Sequence, residues 1–158
     1  MWDTTLAKLN RDEILSIMAH EMGHYVKKHV IWGTVLGAAG NLVFFYLLNK
    51  LYGRTLRRLG GAERKPHELS SLPVLALLAS MLLFFSSPVQ SAVSRVMERQ
   101  ADEYSIAMMK NPDAGVSSFQ KLAKYNLSET RPPELVRFFL GSHPTLEERI
   151  VFEQKYKP

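Results

Sequence analysis

Two stretches without a charged side chain limit what this chain can fold into. From Val30 to Asn49 no position carries Asp, Glu, Lys or Arg, and a second such run covers Leu69 to Ser94. At 1.5 Å per residue a helix over the first run would extend about 30 Å, the thickness of a bilayer's hydrocarbon core. The densest part of the second, Leu72 to Phe85, is more apolar than a soluble helix with one wet face would be. The expectation is two membrane-spanning helices, at about 30–49 and 69–94, forming a hairpin. Gly33 with Gly37, and Ala76 with Ser80, offer small patches where backbones could approach. Pro88 is expected to kink or interrupt the second helix. The alternative is a pair of helices buried in a soluble core.

Just before the first run stands His20-Glu21-Met22-Gly23-His24, the H-E-x-x-H pattern. On a helix its two imidazoles point the same way one turn apart, so both can reach a single Zn2+ with Glu21 beside the reacting water. Asn10 followed by Glu13 marks a capped helix start, and Ile14, Ile17, Met18 and Met22 then recur as an apolar stripe. The alternative is an amphipathic helix whose histidines sit on a polar face. A catalytic zinc site needs a third protein ligand. Glu98 and Asp102, four apart on another helical stretch, supply candidates: Glu98 could complete a His2Glu set while Asp102 holds a ligand imidazole by its free N–H. Glu103 points elsewhere. The competing reading is a solvated helix face paired with Arg95 and Arg99. His24 lies six residues before the first run and Glu98 ten after Pro88, so both sets would emerge on one membrane face.

A chain of 158 residues suffices for one domain, taken here as 1–158 with the spans embedded in it. There is no Cys, which leaves His, Glu and Asp as the ligand pool. The net charge of +5 concentrates between the spans, where Lys50, Arg54, Arg57, Arg58, Arg64 and Lys65 outnumber Glu63 and Glu68. That loop suits anionic lipid headgroups of a bilayer. No zinc-finger spacing or aromatic RNA-binding pattern accompanies it, so no nucleic-acid partner is expected. Met1-Trp2-Asp3 is not a charged-then-apolar leader. Beyond Asp102 the pattern predicts a helix to Met109, a break at Asn111-Pro112-Asp113 and a helix from Ala114 to Tyr125 with Val116, Phe119, Leu122 and Ala123 inward. A short helix from Glu134 to Leu140 should end at Gly141, before a last helix holding Leu146, Ile150 and Phe152. His143, taken alone, reads as a turn residue.

HEMGH followed by KKH and an apolar run, then SRVMERQAD, then GSHPTLEERI, resembles the integral-membrane zinc metallopeptidases that comprise the CAAX prenyl proteases and the HtpX heat-shock proteases. The resemblance covers nearly the whole chain, and SHPTLEER favours the CAAX-protease branch. It implies a mainly α, gluzincin-like helical metallopeptidase domain with an embedded two-helix membrane hairpin. It further implies His20, His24 and Glu98 as zinc ligands, Glu21 as general base, Asp102 as the carboxylate behind a ligand, and His143 and Arg149 as contacts to substrate or oxyanion. Trp2 to Leu6 resembles the segment that follows an edge strand in that family, so the upstream strand and earlier membrane helices are expected to be missing from this chain. The family places its zinc site toward the cytosol, whereas the basic loop would put the loop there by the positive-inside rule. The expectation follows the family: an integral protein of the bacterial plasma membrane with a cytosolic site.

The function these residues point to is a zinc-dependent membrane endopeptidase acting through a metal-activated water and Glu21, on a prenylated CAAX-type peptide or a membrane protein. Two other classes are a catalytically silent zinc-stabilised scaffold and a membrane-surface adaptor acting through the basic loop.

Overall fold

The computed structural model describes residues 7–60, 68–126 and 131–156. Among these the chain is helical and has no strand. The elements run α1 (Arg11–Val26), α2 (His29–Gly60), a 3-10 turn (Leu69–Ser71), α3 (Leu72–Met109), α4 (Pro112–Asn126), α5 (Glu134–Leu140) and α6 (Leu146–Gln154). The mainly helical class is therefore as expected. Trp2 to Leu6, and Glu63, Arg64 and Lys65 of the basic loop, lie outside the described residues. The chain divides into two compact units, one of residues 31–87 and one of residues 1–30 with 88–158.

The first of these holds most of α2 and the start of α3. Both helices run well past the uncharged stretches, α2 as far as Gly60 through Lys50, Arg54, Arg57 and Arg58. Each is long and apolar enough to cross a membrane. Their apolar side chains are not covered: Leu42, Phe45, Leu77 and Phe85 are all exposed. The described residues do not bury them as a soluble core would, whereas hydrocarbon would cover them. Near the start of α3, Tyr52 donates to Ser71 Oγ at 2.6 Å and Ser71 donates to Glu68 O at 2.6 Å. Of the kink or interruption expected at Pro88, an interruption does not occur: the helix continues through it. Proline cannot donate to the carbonyl of residue 84, and Ser87 Oγ does so instead at 2.8 Å.

The second unit is built around α1 and the C-terminal part of α3. Asn10 and Glu13 form the expected capping box, with reciprocal bonds of 2.8 and 2.9 Å. The apolar stripe is not the buried face. Met18 and Met22 are about half exposed, and α1 instead buries Glu13, Ser16, Ala19 and Gly23. The reason is close approach: a Cβ on Gly23 would lie 3.0 Å from Ala101 Cα, which leaves room only for small side chains between α1 and α3. Ser105 donates to Ser16 O across the same seam at 2.9 Å. Glu13, buried, accepts from Ser117 at 2.5 Å and from Lys121 at 2.8 Å, tying α4 to the start of α1.

Helix α3 ends at Met109, and Lys110 turns the chain with φ 50. Pro112 opens α4, where its missing N–H costs nothing. Val116 and Phe119 are buried as the pattern predicted. Helix α5 ends at Gly141, and Thr145 caps α6 in a second reciprocal box with Glu148. Arg95 donates to Gly141 O at 2.6 Å, and Arg137 pairs with Glu148. These bonds fix the segment between α5 and α6 that carries His143.

Candidate metal centre

His20 and His24 lie one turn apart on α1, and Glu98 comes from α3. His20 Nε2 is 3.1 Å from His24 Nε2 and 3.4 Å from Glu98 Oε2; His24 Nε2 is 3.5 Å from Glu98 Oε1. Ligand atoms held at zinc's usual 2.0–2.1 Å in a tetrahedron stand roughly 3.4 Å apart. The three side chains therefore fit one such ion with no rearrangement beyond tenths of an ångström, and among the described residues they form the one His/Asp/Glu group able to do so. One tetrahedral position remains for water or substrate.

Each imidazole is gripped from behind. His20 Nδ1 donates to Asp102 Oδ1 at 2.9 Å. Arg149 in turn forks Asp102, with Nε 3.0 Å from Oδ2 and Nη2 2.5 Å from Oδ1. The guanidinium also lies over the Phe119 ring, 4.1 Å from its centre, which fixes its plane. His24 Nδ1 meets His29 Nδ1 at 2.9 Å. The sequence pattern singled out no role for His29 and missed this contact.

The electrostatics follow from these partners. Burial alone would lower the His20 imidazole, but its hydrogen bonds to Asp102 and Glu98 carry it up to about 9. Burial would raise Asp102, yet His20 and Arg149 hold it below the ordinary carboxylate range. Glu98 is likewise held down, against its burial, by His20, His143 and Arg149. His24 is lowered by burial and by the neighbouring His20. Both acids are thus kept ionised, as a ligand and its support require.

Glu21 is exposed on α1 and lines the same cavity of about 470 Å3 as the three ligand candidates. His143, with a side chain 61% exposed, reaches that cavity and stands 3.4 Å from Glu98 Oε1. Arg149 Nη1 is 3.9 Å from Glu98 Oε2. The solvated-face reading of Glu98 and Asp102 does not hold, because both are buried. Arg95 is committed to Gly141 O, and Arg99 lies over the Phe152 ring. Glu103 is exposed and outside the group. Glu153 is a second residue the pattern did not single out: a buried carboxyl on α6 that lines the cavity.

A helical domain in which one helix brings two imidazoles and another a carboxylate to a common point has the donor set of a metal site. The chain belongs to peptidase family M48, which matches residues 1–155. It is 47% identical over 157 residues to the "Uncharacterized metalloprotease YhfN" of Bacillus subtilis, covering 98% of this chain and 37% of that protein. It is 26% identical to a "Protease HtpX homolog" of Caldanaerobacter subterraneus, covering 92% of this chain and 54% of that one. The chain thus spans between about a third and about a half of these relatives' length. Its fold is shared with the crystal structure of S. mikatae Ste24p, at a TM-score of 0.75 and 24% identity, over 96% of this chain and 37% of that one. The family is one of metallopeptidases, and it implies a metal.

Proposed function

We propose that this chain is the catalytic part of a zinc-dependent membrane endopeptidase. The observation that carries the reading is the convergence of His20 Nε2, His24 Nε2 and the Glu98 carboxylate at spacings of 3.1 to 3.5 Å. These three residues would hold the zinc. Bound there, zinc would supply Lewis-acid polarisation and bring water's pKa down toward neutrality.

The protein's own groups do the rest. Glu21 accepts the attacking water's proton as the scissile carbonyl is attacked, and returns it to the leaving amine. Asp102, clamped by Arg149, keeps the His20 proton on Nδ1, so that Nε2 presents a lone pair to the site. His143, exposed at the cavity, would donate to the tetrahedral oxyanion, and Arg149 adds positive charge on the Glu98 side. The uncovered apolar helices support insertion in a bilayer; a site on the cytosolic side of a bacterial plasma membrane rests on the family resemblance. The substrate is a polypeptide presented at that surface; a prenylated CAAX-type peptide and a membrane protein are the two to compare.

Glu21→Gln tests the assignment. The amide cannot accept a proton, so the variant in detergent or vesicles should keep its zinc while hydrolysis of both substrate types falls at least about 100-fold. Turnover near the native rate would remove Glu21 from the base role. Zinc bound by the native chain with no hydrolysis of either substrate would favour the silent scaffold instead.

A further inference from the structure

We propose that His29 is a positioning residue which, backed by Gln100, fixes the tautomer of His24 and so readies it for metal; this rests on the reading of His20, His24 and Glu98 as ligands. A neutral imidazole can bind a metal through Nε2 only if its proton sits on Nδ1. For His20 a carboxylate enforces this, since Asp102 accepts from Nδ1. Among the described residues no carboxylate is bonded to Nδ1 of His24. Its Nδ1 faces another imidazole nitrogen, His29 Nδ1, at 2.9 Å. Two such nitrogens attract only when one carries a proton and the other does not.

Gln100 sets which one does. His29 Nε2 lies 2.9 Å from Gln100 Oε1, a carbonyl oxygen that only accepts. Nε2 of His29 therefore holds the proton, and its Nδ1 is a bare acceptor. His24 must then donate from Nδ1, which leaves its Nε2 lone pair directed at the site, 3.1 Å from His20 Nε2. The two ring centres stand 4.9 Å apart with the planes at 77°.

The backbone is bent to make this contact. On one continuous helix, residues five apart differ by roughly 140° in direction, so His29 would face away from His24. Instead α1 stops at Val26, Lys28 takes φ 57, and α2 starts at His29. A left-handed conformation at a lysine costs free energy. It turns the chain so that His29 is buried against His24.

His29→Phe and His29→Asn separate this role from packing. Phe keeps the ring's bulk and loses the acceptor; Asn loses the bulk, but its Oδ1 can stand where Nδ1 stood. Zinc affinity of the purified protein is read by competition with a chromogenic chelator, using the metal alone, with helicity checked by circular dichroism. The relay predicts a loss of about 10- to 100-fold for Phe and recovery to within about threefold of native for Asn. Undiminished affinity in His29→Phe, or His29→Asn no better than His29→Phe, overturns the relay while leaving the ligand assignment intact. A native chain that takes up no zinc overturns the ligand assignment and the relay together.

Discussion

Glu153 carries a carboxyl into the cavity wall without a part in the proposed chemistry. Its side chain packs over Gly115, where an added Cβ would come within 2.6 Å of it. Burial, with Asp102 nearby, pushes its pKa up to about 7 from an ordinary 4.5. In the metal-free protein the folded state therefore holds a proton that the unfolded chain has released, over the window from about 4.5 to about 7. Stability must fall as pH rises through that window and level off above it. Glu153→Gln removes the titration. The variant should gain on the order of 2 kcal/mol relative to native at pH 8 compared with pH 4, measured by thermal unfolding of metal-free protein. An equal difference at the two pH values would show that Glu153 ionises in the fold as it does in the open chain. The metal-site side chains differ from Glu153 in how far the sequence revealed them. His20, Glu21 and His24 are visible because helical spacing alone brings them together, and Glu98 with Asp102 for the same reason. Glu153 and His29 depend on the return of α6 and on one left-handed backbone angle, and neither leaves a mark in residue spacing.

Among the elements, α1 shows how a correct helix can be assigned with the wrong buried face. Hydrophobicity pointed to Met18 and Met22, but the seam with α3 is made by Ser16, Ala19 and Gly23. An apolar stripe identifies a buried face when a neighbour packs at ordinary distance on large side chains. Here the proposed ligand atoms of two helices meet at one point, and the backbones come closer than a stripe of methionines allows. Gly23 is where this is tightest, with Ala101 Cα, Ala101 O and Tyr104 Cβ at 3.0 to 3.1 Å from the position of a Cβ. Gly23→Val should therefore destabilise the protein by about 1–3 kcal/mol and lower zinc affinity as α1 is pushed from α3. A variant with native melting temperature and native affinity would mean that the seam is slack. Helix α3 gives the complementary lesson at Pro88. Pro88, expected to kink or interrupt it, is accommodated within a continuous helix, where the Ser87 hydroxyl donates to the carbonyl that proline leaves free.

At the scale of the molecule, two kinds of surface coexist in one helical chain. Residues 31–87 expose large apolar side chains along helices of membrane-spanning length, while the unit of residues 1–30 and 88–158 buries a charged network around His20, Asp102 and Arg149. The uncharged runs made the first legible, because nothing but length and the absence of charge is needed to see them. They gave the lengths less well, since α2 runs beyond the end of its uncharged stretch at Asn49, through Arg57 and Arg58 to Gly60. The central claim is that the second unit exists to hold one metal ion between α1 and α3. Elemental analysis of the native protein, Glu98→Ala and Glu103→Ala after dialysis against a weak chelator tests it most directly. The account predicts a single zinc retained by the native chain and by Glu103→Ala, and more than about tenfold weaker retention by Glu98→Ala. Equal zinc in the two variants would contradict it.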